Sequence, residues 1–161
     1  MSTFKNQKLL TLILIFSIFA LIAAYFIEYV LGHQPCNLCL IERIPYAAAI
    51  IVILLCLLFK KFEKISLVIL SFIFFLAILV SFYHFGIEQG FMKESLVCDL
   101  RVGDDILTKE ALLDQLKEKT ISCKDVTFKI FGLSLSAINI IISLLLSLIN
   151  IKLFLNYEKN K

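Results

Sequence analysis

Four apolar stretches, each longer than twenty residues, leave this chain essentially one way to fold: as a bundle of membrane-spanning helices. They run over 9–31, 38–59, 65–87 and 130–155. Crossing about 30 Å of hydrocarbon takes about 20 predominantly apolar residues in a helix. The helix is required because lipid offers the backbone N–H and C=O groups no partner. Composition agrees: of 161 residues, 60% are apolar and 18% charged, against roughly 45–50% and about 25% in soluble domains. That leaves no room for a separate soluble domain, so a single all-α transmembrane four-helix domain over 1–161 is expected. The first stretch follows Lys5 and Lys8 and is apolar as far as Ile27, too long for the core of a signal peptide. Leu21 and Ile22 stand where a cleavage site ending at Ala23 or Ala24 would need small residues, so a retained helix is expected.

Lysines near the helix ends set the orientation. Lys5 and Lys8 precede the first helix, Lys60, Lys61 and Lys64 crowd the tight turn between the second and third, and Lys152, Lys159 and Lys161 end the fourth. All three groups are expected on the cytoplasmic side, with loops 32–39 and 88–129 outside. The 42-residue loop 88–129 holds seven Lys/Arg but spreads them among nine acidic residues. Within it, Leu112, Leu113 and Leu116 oppose Glu110, Asp114, Lys117 and Glu118, which predicts a short interfacial helix over 108–119 with Thr108 as its N-cap. The net charge of +3 therefore speaks to orientation, and no nucleic-acid partner is expected. Tryptophan is absent, which leaves interfacial anchoring to Tyr25, Tyr29, Tyr46, Tyr83 and Tyr157.

Five cysteines fall unevenly on this frame. Cys36 and Cys39 lie in the first outer loop, Cys98 and Cys123 in the second, and Cys56 in the middle of the second helix. Two outward pairs suit an oxidising compartment, where the plainest role is structural disulfides. That role suits the C-x-x-C pair poorly, because so small a ring adds little loop-closure stabilisation and its bond is readily reduced. A structural zinc site usually needs a second such pair or closely spaced histidines, and His33 and His84 are far apart in sequence, so no metal is expected. Haem attachment needs His after the second Cys, where Leu40 stands. Four outer cysteines still allow three pairings.

The surroundings of the C-x-x-C pair favour reactivity. Pro35 sets the entry to the second helix, so both sulfurs belong near a helix N-terminus that stabilises thiolate. Arg43 lies four residues beyond Cys39 and seven beyond Cys36, on the same helical face. It can stabilise a thiolate or a polar ligand; its bland role is a side chain that snorkels to lipid phosphates. Pro45 frees the carbonyl of Ile41. Cys56, in an apolar run, reads as packing.

Taken together, Pro35-Cys36-x-Leu38-Cys39-x-x-x-Arg43-x-Pro45-Tyr46, Tyr83-His84-x-Gly86-x-Glu88, then Cys98, Cys123 and Phe131-Gly132-Leu133 opening the last helix resemble the disulfide bond formation protein B family, DsbB, over the whole chain. The resemblance implies a four-helix bundle in the bacterial inner membrane, both termini cytoplasmic and the cysteine loops periplasmic. It implies a thiol oxidase that passes electrons from a thioredoxin-fold, DsbA-like dithiol donor to ubiquinone or menaquinone. Cys98 would be attacked by the donor, with Cys123 as its partner thiol; Cys36 would relay electrons between the loops and Cys39 would face the quinone. Arg43 would stabilise that thiolate and the quinone oxygen, and His84 and Glu88 would be further quinone-pocket residues. Two other functions compete. A vitamin K epoxide reductase-like quinone reductase would carry its C-x-x-C late in the chain. A non-enzymatic membrane scaffold, its loops braced by disulfides, would show no quinone-dependent turnover.

Overall fold

The computed structural model describes residues 2–59, 63–94, 98, 122–124, 128–130 and 132–159, with 2–6 as backbone only. The helix expected over 108–119 lies outside the described residues. The elements in order are α1 (Ser2–Tyr29), α2 (Asn37–Ile41), α3 (Ile44–Leu58), α4 (Glu63–Glu88), β1 (Lys129–Ile130), β2 (Leu133–Ser134) and α5 (Leu135–Lys159). Among the described residues, four helical segments are long and apolar enough to cross a membrane, α2 and α3 counting as one. The protein is multi-pass.

Three of the differences from the sequence reading have a local reason. α1 begins at Ser2 rather than 9, since residues 2–8 contain no helix breaker. The second span is broken at Glu42 and Arg43. Pro45 has no N–H for the carbonyl of Ile41, and the N–H of Arg43 donates instead to the carbonyl of Leu40 at 3.1 Å, a tighter turn. α5 starts at Leu135, not 130. Lys129 pairs with Ser134 and Ile130 with Leu133 in an antiparallel hairpin, and Gly132 has φ +83°, which right-handed helix does not allow.

α4 packs extensively on α5, α3 bridges α1 and α4, and α1 touches α5 only lightly. Leu10, Ile13, Ala49, Ile53, Leu67, Leu70, Phe74 and Leu153 fill the centre. Ser66, Ala77 and Ser81 on α4 and Ser136, Ser143 and Ser147 on α5 are buried; such small side chains let two helix backbones come close without an apolar driving force between them. The outer surface is the reverse of a soluble protein's: Leu12, Phe19, Ile22, Ile51, Ile65, Phe72 and Leu145 are exposed, as lipid contact requires. Lys64 and Glu158 pair at one end of the bundle. The two cysteine pairs lie at the other.

Candidate functional site

At that end the chain leaves α1 through Gly32 and enters α2 with Cys36 as its N-cap, the sulfur accepting from the N–H of Cys39 at 3.4 Å. The two-residue spacing then brings the thiols together, Sγ to Sγ 2.9 Å, both free. Cys98 and Cys123 form a disulfide with Cα atoms 5.9 Å apart. Cys36, Cys98 and Cys123 form one buried cluster with Leu38 and Ile87, against which the half-buried Cys39 packs, and Asn37 Nδ2 donates to the carbonyl of Cys98 at 3.4 Å. Of the three possible pairings, the structure holds the one within the second loop. Cys56 sits alone in the main core, away from both pairs.

Behind the thiols, α4 brings up His84, which is 3% exposed. Its Nε2 lies 3.5 Å from Cys36 Sγ and 3.6 Å from Glu88 Oε1. Its Nδ1 lies 2.8 Å from Glu42 Oε1. Sulfur, imidazole and carboxylate thus stand in line as in activated thiol nucleophiles. Cys36 precedes the span, and its thiol is held well below the ordinary value. A hydrogen bond from Cys39 is the largest cause; burial opposes it, and the hydrogen bond and charge of His84 add to the lowering. The sulfurs of Cys36 and Cys39 and a nitrogen of His84 also fall within 4.8 Å of one another, close enough to share a metal ion when both thiols are reduced. The sequence argument against a metal relied on separation along the chain, which folding cancels for His84.

The other oxygen of Glu42 accepts from Asn139 Nδ2 at 3.0 Å. Asn139 also donates to Ser81 Oγ at 2.8 Å and accepts from Tyr46 OH at 2.5 Å. Glu88 accepts from Ser136 Oγ at 2.5 Å. Charged and amide groups within spans are costly, and this hydrogen-bonded set of them makes the region the candidate site.

A cavity of about 340 Å³ opens where α1 and α5 pack least. Its walls are apolar, including Phe16, Phe19, Ala24, Ile27, Ile138 and Ile142, while Cys39, Glu42, Arg43, Tyr46 and Asn139 put polar groups into it. His33 and Phe128, rings 5.2 Å apart, close one side. Arg43 Nη1 donates to Glu28 Oε2 at 2.5 Å, and its guanidinium lies 4.9 Å from the centre of the Tyr25 ring. The structure therefore sets Cys39 and Arg43 on the cavity, and His84 behind Cys36 with Glu88 at its side. Glu42, Asn139 and Glu28 were given no role from sequence. Their signal was legible all the same: each is a polar residue inside an apolar span.

The family model described as "Disulfide bond formation protein DsbB" matches residues 6–153. The chain belongs to the DsbB family. Membership accords with the four apolar spans and makes disulfide oxidoreductase chemistry the family's common ground. A relative from Rickettsia prowazekii (strain Madrid E), the uncharacterized protein RP370, is 31% identical over 158 residues, covering 96% of this chain and 91% of that protein. No solved structure matches.

Proposed function

We propose that this DsbB family member is an inner-membrane thiol oxidase that reoxidises a periplasmic thioredoxin-fold, DsbA-like dithiol protein and passes the electrons to a membrane quinone. One observation carries the reading. Two cysteine pairs pack together, one as a disulfide and one as adjacent thiols, and Cys39 of the second pair lines a cavity. A donor thiolate attacks Cys98, forming a mixed disulfide and releasing Cys123; a second donor thiolate resolves it and leaves the loop pair reduced. With the C-x-x-C pair first oxidised to a disulfide, its two electrons and two protons passing to the quinone, exchange through Cys36 reoxidises the reduced loop pair and returns the C-x-x-C pair to its thiols. A flat ring with two carbonyls suits the cavity: apolar walls for ring and tail, and the Arg43 guanidinium as a donor for an oxygen. Arg43, which lines the same cavity as Cys39, would stabilise the Cys39 thiolate and a quinone oxygen.

The lysine distribution supports cytoplasmic termini and periplasmic cysteine loops. Trapping tests the donor half. A thioredoxin-fold donor that keeps only its nucleophilic cysteine should become disulfide-linked to Cys98, identified by peptide mass. Linkage at Cys36 or Cys39 would overturn the assignment.

A further inference from the structure

The reaction moves protons as well as electrons, and the buried polar chain behind Cys36 has no part in the electron relay. We propose that His84 and Glu42 carry the proton of Cys36 to the quinone in the cavity, so that it moves with the electrons instead of passing into water. This rests on the quinone-reducing reading above. Two thiols and one quinone give one disulfide and one quinol. Two S–H bonds break, one S–S bond forms, sulfur loses two electrons, and each quinone oxygen gains one proton.

Cys39 lines the cavity and can pass its proton directly, whereas Cys36 is buried and does not line it. The only imidazole beside Cys36 among the described residues is His84, at 3.5 Å. His84 holds the Cys36 proton while the sulfur is a thiolate, then passes a proton from Nδ1 across 2.8 Å to Glu42 Oε1. Glu42 reaches the cavity, steadied by Asn139 at 3.0 Å, and Asn139 and Tyr46 line the cavity beside it. The chain is recharged when the next donor dithiol reduces the pair.

Water has little access to this path, since His84 is 3% and Glu42 8% exposed. Among the described residues, His84 is faced by Cys36 from the loop before α2, by Cys39 from α2, by Glu42 from the α2–α3 break, and by Glu88 from its own helix, 3.6 Å from Nε2. Glu42 is faced by His84 from α4, by Asn139 from α5 and by Tyr46 through Asn139, with Cys39 nearby; Arg43 is drawn away to Glu28. Proton transfer by positioned groups of this kind contributes typically 10²–10⁴-fold.

The test uses the full-length protein in nanodiscs, reduced with a small dithiol, freed of excess and mixed anaerobically with a short-chain ubiquinone while quinone absorbance is followed. The wild-type rate constant should be level between pH 6 and 8, because the proton is already inside. Glu42→Gln should be on the order of 100-fold slower. It should also slow further as pH rises, by up to about tenfold per unit, because the proton must then come from water. Glu42→Asp should keep the level profile, and His84→Gln should show the same slope as Glu42→Gln. Oxidation of a reduced donor by the Cys98–Cys123 disulfide, measured on separate, unreduced portions of the same preparations, should be intact in all variants. A Glu42→Gln or His84→Gln profile as level as wild type, whether slower or not, would overturn the relay, since a purely structural defect lowers the rate equally at each pH. If the wild-type protein reduced no quinone, the reading beneath the relay would fall and the relay with it.

Discussion

Arg43 offers the sharpest separation of chemistry from structure, because the same guanidinium that faces the cavity also neutralises Glu28. In Arg43→Met an unbranched apolar stem is kept and the guanidinium with its charge is lost. Glu28, 19% exposed in its side chain and 2.5 Å from Arg43 Nη1, then loses its partner in a largely apolar setting, at a cost of about 1–3 kcal/mol in stability. The contact over Tyr25 adds about 0.5–1 kcal/mol. The quinone-dependent step suffers separately: one charge-assisted hydrogen bond lost at the quinone oxygen is worth about 1.5–3 kcal/mol, or roughly ten- to hundredfold in kcat/KM. The double variant Glu28→Gln with Arg43→Met removes the stranded charge, so it should regain most of the stability and none of the quinone kinetics. Arg43→Lys should recover only part of the rate, because an ammonium cannot reproduce the planar fork. Thermal unfolding in detergent and steady-state quinone kinetics read the two effects. Unchanged quinone kinetics in Arg43→Met, or their return in the double variant, would refute the reasoning and leave Arg43 as the partner of Glu28 alone.

Cys56→Ala should retain quinone-dependent oxidation, because Cys56 packs in the core far from both pairs; loss of turnover in folded protein, checked by thermal melt, would reverse this. Cys98→Ser should abolish oxidation of a protein donor while leaving quinone reduction by a small dithiol through Cys36 and Cys39; equal loss with both donors would contradict the division of labour. Cys36 is held below the ordinary thiol value of 9.0, so its thiolate persists as pH falls through 8 and 7 and is lost only below the lowered value. Alkylation of the reduced protein by iodoacetamide, followed by mass spectrometry, should show a nearly constant rate at Cys36 across that range, where an ordinary thiol slows about tenfold per unit. In a cysteine-free background, Phe91→Cys, exposed just beyond α4, should be labelled from outside intact cells and Lys64→Cys only after permeabilisation; the reverse pattern would invert the topology.

The spans were legible because twenty apolar residues in a row have few other uses, and the break at Glu42 and Arg43 was foreshadowed by the missing N–H of Pro45. The start of α5 was not, because an apolar count cannot distinguish Ile130 and Leu133 in a hairpin from the same residues in a helix; the requirement of Gly132 for positive φ was the available clue. In the site, the spacing of Cys36, Cys39 and Arg43 along one helical face placed two of the three on the cavity. It could not show Glu28, fifteen residues earlier, taking the guanidinium. The line from Cys36 through His84 and Glu42 to Asn139 joins residues 48, 42 and 97 positions apart. Such contacts arise from helix packing alone and leave no periodicity to read.

The central claim is that electrons cross from a water-phase dithiol to a membrane-phase quinone through these two pairs. Its most direct test is the anaerobic stoichiometry of the purified protein in nanodiscs, with reduced thioredoxin-fold donor in excess over a short-chain ubiquinone. One quinol should form for each donor dithiol converted to disulfide, over many turnovers, and quinol formation should stop in Cys39→Ser. Donor oxidation without quinol, or quinol formation that survives the loss of Cys39, would contradict the account.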